Sequence, residues 1–310
     1  MGEAQLALGH AEVAVETLRT CIESFSKHPA SYRARLLASQ AEFDLGRREQ
    51  AKQLLLDNLY RHALTPQSND WRDSLFAYGF LLYREGLALE TQSRQAGVDQ
   101  PDPNAKKTGL KFLEQCHTAF HEAARVLTEA VERYPGVPDA VRARYAVAES
   151  YRHSAKWPRK RLGTVTIETT RVALNRQLQE ELLASLEQYS SLITQLADGQ
   201  DADKSPTDAS VLRNCYFGKA DALFDLGRYE EAVQAYSAAT NRYQHEPEAL
   251  EAYVQIAACL RRLNRTAESR GTLEQARIVL QRLRPDANFT RTTRYTRDEW
   301  AQLLTWLRTL

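Results

Sequence analysis

The stretch LFDLGRYEEAVQAY, residues 223–236, decides the fold. It sets Gly227 between two amphipathic runs, then a small Ala232 five residues on, then Tyr236. One such stretch would mark an ordinary helical hairpin, but this spacing recurs. Gly227 is followed by Ala232 at +5 and Pro247 at +20; Gly9 has Ala14 and Pro29 at the same offsets, and Gly46 has Ala51 and Pro66. Gly9 and Gly46 lie 37 residues apart, as do Gly227 and Asn264. Asn is the other residue that tolerates the left-handed backbone of a tight inter-helix turn. Counting back twenty from Pro138 gives Thr118, with Ala123 at +5.

Two antiparallel helices joined by a short turn need small residues where their backbones approach, and larger residues one turn further on fill the groove against the next pair. The pairs here read Ala14/Leu18, Ala51/Leu55, Ala123/Leu127, Ala232/Tyr236 and, less well, Ser269/Leu273. Proline then ends one helix and opens the next. The fold expected is all-α: a right-handed α-solenoid of stacked antiparallel helix pairs, with long inserted helices and a C-terminal capping helix.

On these residues the sequence resembles the tetratricopeptide repeat family, whose signature includes A-x3-F followed by P. The YP-x-x-P ending in VERYPGVPDA (131–140) is similar to the bacterial cell-envelope subset of that family. The match is strongest over 207–283, good over 9–66 and loose between 70 and 200. Tyr216 stands where the full signature has tryptophan. The resemblance implies a protein that binds proteins. The Lys/Asn-rich clamp by which some members hold a C-terminal carboxylate is absent.

Three regions follow. Residues 1–66 hold N-terminal repeats, the first partial because 10–27 reads as a second helix with most of its partner missing, so that the chain is either a piece of a longer protein or atypical at its start. Residues 67–200 hold irregular repeats with extended helices. One begins at WRDSLFAYGFLLYREG (71–86), breaks at GVDQPDPN (97–104) and resumes over 105–134. The next pairs 139–154 with a long helix over 164–197, with KWPRKRLG read as a loop between them. In that long helix Leu178, Leu182, Leu186, Tyr189, Ile193 and Leu196 recur at steps of three and four. At about 50 Å it is expected to project or to pack as a coiled coil against the 105–134 helix. After a polar linker, DGQDADKSPTDAS (198–210), residues 201–310 carry two regular repeats and the cap. The cap has a capping-box pattern, Thr296 with Glu299, and an apolar stripe of Trp300, Leu303, Leu304 and Leu307.

Composition excludes several function classes. The 310 residues are 43% hydrophobic and 26% charged, with Lys+Arg 41 against Asp+Glu 40. No net basic charge points to nucleic acid or to an anionic membrane, and no run reaches the roughly 20 apolar residues of a membrane span. The four cysteines, Cys21, Cys116, Cys215 and Cys259, form no CxxC pair and sit in apolar helical runs, as buried thiols do.

Catalytic motifs are missing. There is no G-x-S-x-G and no phosphate-cradling glycine loop. In CHTAFHE (116–122), His117 and His121 share one helix face at i,i+4, a spacing that can bind zinc. Thr118 stands where the metalloprotease pattern needs Glu, however, and no further ligand cluster is apparent. The expectation is no enzyme, no cofactor and no metal.

Binding to a protein or peptide partner by a non-enzymatic scaffold is expected instead. The alternatives are a structural or oligomerisation module of a larger cell-envelope protein and, third, a metal-dependent enzyme with an unrecognised site. Oligomeric state is left open, and the compartment is open between envelope or periplasm and cytoplasm. The first helix of each pair lines the concave face, where Arg33, Gln40, Asp44, Asn214, Phe217, Asp221, Glu251, Arg261 and Arg262 are expected. The favoured contact, however, lies in 105–197, with salt-dependent affinity, at RHSAKWPRKR (152–161), in which Arg152, Lys156, Arg159, Lys160 and Arg161 surround an exposed Trp157 with no acid among them. Such a mixture is enriched at binding hot spots.

Overall fold

The computed structural model describes residues 1–26, 28–61, 64–197, 204–290 and 293–308. These residues form helices joined by turns and short irregular stretches, with no strand among them, consistent with the all-α helical-repeat fold. The chain divides into two compact units, Met1–Glu181 and Leu182–Leu310.

The first unit begins with α1 (Gly2–Ala7) and α2 (Ala11–Ser24), then α3 (Ala30–Asp44) and α4 (Arg48–Leu56), which runs on into a π-helical turn at Asp57–Arg61. Next come α5 (Asn69–Gln95), α6 (Pro103–Arg133), α7 (Asp139–Ser154) and the short α8 (Lys156–Leu162), followed by the start of α9 (Glu168–Ala197). The second unit takes the rest of α9, then α10 (Pro206–Asp225), α11 (Tyr229–Arg242), α12 (Glu248–Arg262), α13 (Thr266–Arg282) and α14 (Arg297–Leu307).

The recurring glycine is a left-handed corner. Gly9, Gly46 and Gly227 have φ between 75 and 78°, and Asn264, which replaces glycine in the last hairpin, has φ 60°. Each corner closes the preceding helix with the paired hydrogen bonds of a Schellman motif. At Gly46, for example, its own N–H reaches Phe43 O at 2.9 Å and Arg47 N–H reaches Glu42 O at 2.8 Å. Pro29, Pro138 and Pro247 cap the N-termini of α3, α7 and α12.

The small residue five places on is the close contact. Ala14, Ala51, Ala123, Ala232 and Ser269 are all 0% exposed. Ala232 sits among Ala220, Leu223, Tyr236, Ala252 and Ile256. Ala232→Leu should overpack this contact and cost about 1–3 kcal/mol; a melting curve that matches wild type would show that the helices do not pack at this register.

The pair turns within the expected break at 97–104: Gly97 has φ 91° and Val98 N–H returns to Ser93 O at 3.1 Å, and Thr118 lies in the middle of α6. Both helices of this pair are lengthened, and their backbones come close along the extension. A Cβ at Gly109 would lie 2.5 Å from Val98 N, and one at Gly79 would lie 2.5 Å from the Leu127 side chain.

The polar linker is a correction. Residues 198–203 lie outside the described residues, but 206–210 are already helical. Ser205 Oγ accepts from Asp208 N–H and Pro206 opens α10, so the run SPTDAS is an N-cap rather than a tether. On α9 the buried side chains are Leu174, Glu181, Leu182, Ser185, Tyr189, Leu192 and Leu196; of the predicted stripe, Leu178, Leu186 and Ile193 are only half-buried.

The terminal helix is as expected. Thr296 and Glu299 form the reciprocal capping box, and Trp300 and Leu304 bury against Leu250, Leu273 and Leu280. All four cysteines are free thiols, three of them buried.

Candidate functional site

In the first unit, α3, α5 and α7 line a groove of about 510 Å³. Its floor holds Leu36, Leu37, Phe43, Phe76 and Phe80. On α3 the small residues Ala34, Ala38 and Ala41 take the buried face, which leaves Leu36, Leu37, Gln40 and Phe43 to the groove. Four arginines, Arg33, Arg72, Arg84 and Arg142, stand over this floor, against the acids Asp73 and Asp139. The Arg84 guanidinium lies 4.0 Å from the Phe43 ring centre and bonds Asp44 at 2.8 Å; Arg142 lies 4.2 Å from the Phe80 ring. Cation–π contacts of this kind hold an arginine head beside an apolar floor at modest energy.

The concave-face residues of the second unit divide. Asn214 is exposed on α10. Phe217 packs beside Tyr243 with ring centres 6.0 Å apart. Asp221 accepts from the Tyr236 hydroxyl at 2.5 Å. Burial first, then the Asp221 charge, pushes the Tyr236 phenol far above its ordinary value. On α12, Arg261 donates to Leu307 O at 2.6 Å and so ties down α14, whereas Arg262 is exposed. Glu251 is half-buried, and burial raises its carboxyl.

The stretch 152–161 is corrected. It is not a loop: α7 gives way directly to α8, with Arg159 N–H reaching Ala155 O at 3.3 Å. Pro158 falls in the first turn of α8, where a missing N–H is tolerated. Trp157 is half-buried and stacks on His117, ring centres 5.0 Å apart at 26°. Acids answer the cations, two of them distant in sequence and the third, Glu149, one turn earlier on α7. Lys156 Nζ bonds Glu90 Oε1 at 2.8 Å, Lys160 pairs with Asp99, and Arg152 lies 3.3 Å from Glu149. Of the remaining two, Arg159 is exposed and Arg161 half-buried.

Beneath α8 lies a polar centre that only the fold assembles. Glu90 of α5 is buried, with His153 Nδ1 2.5 Å from Oε2. Burial pushes the Glu90 carboxyl up, but the His153 hydrogen bond and the His153 and Lys156 charges outweigh it and hold the group down at about 2. His153 Nε2 lies 3.4 Å from Glu149, so both ring nitrogens face carboxylates.

A second carboxylate, Glu181 of α9, is also buried. It accepts from Ser154 Oγ at 2.9 Å and Gln177 Nε2 at 3.0 Å, and His121 Nε2 lies 3.0 Å from Oε1. Pro158 leaves Ser154 O without its helical donor, and His117 Nδ1 lies 3.3 Å from that oxygen. Burial lowers the His117 imidazole below its ordinary value. His117, His121 and Glu181 each offer one ligand atom, and these three lie within 4.8 Å of one another. Burial also pushes the adjacent Cys116 thiol up to about 12, so it does not supply a thiolate near neutral pH.

Sequence reasoning missed most of the groove. The signal was the i,i+4 stripe Phe76, Phe80, Arg84 on α5. No local signal places Glu181 beside the histidine pair.

Residues 1–68 and 217–288 match the tetratricopeptide repeat family model. The matched segments lie at the two ends and leave 69–216 between them. No curated protein matches the chain. Similar solved structures include a tetratricopeptide repeat protein from Parabacteroides merdae, 12% identical with TM-score 0.34, covering 98% of this chain and 94% of that one. Yeast Tom70 is 16% identical with TM-score 0.23, covering 89% of this chain and 60% of that one. The TPR domain of P58(IPK) is 14% identical with TM-score 0.21, covering 100% and 98%. The matched segments supply α3 and its share of the groove, whereas the polar centre falls in the stretch between them. Among the described residues no helix is long and apolar enough to cross a membrane.

Proposed function

We propose that the chain is a non-enzymatic scaffold that holds a segment of another protein in the groove of its first unit. The segment is one that combines apolar with acidic side chains. The observation that carries this reading is the groove lining: an aromatic and leucine floor beneath four arginines, which Asp73 and Asp139 of the lining, with Asp44 and Glu3 beside it, hold in place by ion pairs. Apolar side chains of the partner would bury against Phe43, Phe76 and Phe80, and its carboxylates would meet planar guanidinium groups suited to bidentate pairing. The YP-x-x-P ending at 134–138 favours an envelope setting for such a scaffold.

The test is selection of random peptides on wild type, with counter-selection on Arg84→Glu/Arg142→Glu. Recovered peptides should be apolar and acidic. By fluorescence anisotropy they should bind the double variant at least about 10-fold more weakly, a loss of about 1.4 kcal/mol, and their affinity for wild type should fall with salt. The Arg159→Ala/Lys160→Ala/Arg161→Ala variant should bind as wild type does. Equal recovery on the groove variant, or loss of binding in the α8 variant alone, would overturn the assignment.

A further inference from the structure

We infer that His117, His121 and Glu181 form a site for a divalent transition-metal ion of the zinc class. Two imidazoles and one carboxylate are a donor set that zinc takes in three-ligand sites, with water in the fourth position. Helix α6 brings its two histidines to one face, and α9 brings the carboxylate across to them. His121 Nε2 and Glu181 Oε1 are 3.0 Å apart, and one donor atom of each residue lies within 4.8 Å of the others. A tetrahedron with metal–ligand arms of about 2.0–2.1 Å has edges of about 3.4 Å, so side-chain adjustment alone closes the site.

The surrounding hydrogen bonds are those that orient ligands at metal centres. Ser154 Oγ holds the far oxygen of Glu181 at 2.9 Å, and Ser154 O faces His117 Nδ1 at 3.3 Å. A proton on Nδ1 leaves the lone pair of His117 on Nε2. That lone pair and Glu181 Oε1 both converge on the Gln177 amide nitrogen, 3.0 Å from each. The amide donates hydrogen bonds where a cation would accept electron pairs, and its flexible side chain can swing aside as the ion enters. His121, which is exposed, shifts its proton to Nδ1 to free Nε2. The open side is a cleft of about 840 Å³ lined by His117, His121, Glu122 and Tyr151, which admits the ion and its water. With imidazole donors, the set discriminates against calcium and magnesium, which take oxygen ligands.

Calorimetric titration of the full chain, dialysed against chelator, with Zn²⁺ alone should show one equivalent bound and a raised melting temperature. Mg²⁺ and Ca²⁺ should do neither. Co²⁺ should give the visible absorption of a four-coordinate ion. His121→Ala, at an exposed position that leaves the core intact, should lose binding, as should Glu181→Gln. His245→Ala should bind as wild type does. Gln177→Ala should bind at least as tightly as wild type, since it removes the competing amide. No zinc bound by wild type at micromolar concentration, or equal binding by His121→Ala, would overturn the site and leave the three residues as a hydrogen-bonded network. Neither result bears on the groove, whose residues are separate.

Discussion

Trp300→Ala should destabilise the protein by about 3–5 kcal/mol, the range for removing a large aromatic side chain from a core. Trp300 is among the largest fully buried side chains, set against Leu250, Leu273 and Leu280 of the preceding pair. Its indole N–H donates to Thr293 Oγ1 at 3.1 Å, and Tyr295 meets it edge-on with centroids 5.3 Å apart. Truncation therefore removes dispersion contacts, leaves a cavity and strips the Thr293 hydroxyl of its donor. It also loosens α14 from the last hydrophobic face of the stack, which a repeat protein must cover. Trp300→Phe, which keeps a ring, should lose much less. Urea unfolding followed by circular dichroism measures both; a loss under 1 kcal/mol for alanine would mean that α14 does not cap the stack.

Glu90→Gln should cost roughly 3–5 kcal/mol at neutral pH, because it removes the buried carboxylate that pairs with Lys156 and meets His153 Nδ1. The same group sets a pH window. Its folded value of about 2 is depressed from 4.5, so its contribution is fully present above about pH 4.5 and is lost as pH falls towards 2. The depression corresponds to roughly 3 kcal/mol. Unfolding free energies of wild type and Glu90→Gln should therefore converge between pH 4.5 and pH 2. A difference that stays constant across that range would show that the carboxylate charge is not what stabilises this centre.

The repeat was legible because its determinants are local. A left-handed corner admits glycine or asparagine, and a close helix contact admits alanine or serine, so Gly9, Gly46, Gly227 and Asn264 with their small partners spell out the hairpins. In the third pair the lengthened α5 and α6 put the corner at Gly97, inside the turn-rich run 97–104, while the Ala123 contact stays in phase. Pro158 and Gly163 suggested a loop because proline reads as a breaker, although the first turn of a helix accepts it. The groove was half legible. Its position on the first helices followed from the repeat phase, which placed Arg33, whereas the aromatic floor needed the packing of α3, α5 and α7. The polar centre was not legible. His121 and Glu181 are 60 residues apart, and Glu90 and His153 are 63 apart; no short spacing encodes either meeting.

That separation has a kinetic meaning. Each hairpin closes through a turn of a few residues, so its contacts form early and at small entropic cost. The carboxylates of Glu90 and Glu181 reach partners on other hairpins, and those contacts wait until the helices are already built and docked. Interactions that form after the folding barrier leave the rate of folding almost untouched and act on the rate of unfolding. The alanines and glycines thus govern how quickly the first unit assembles, while the two buried carboxylates govern how long it stays assembled.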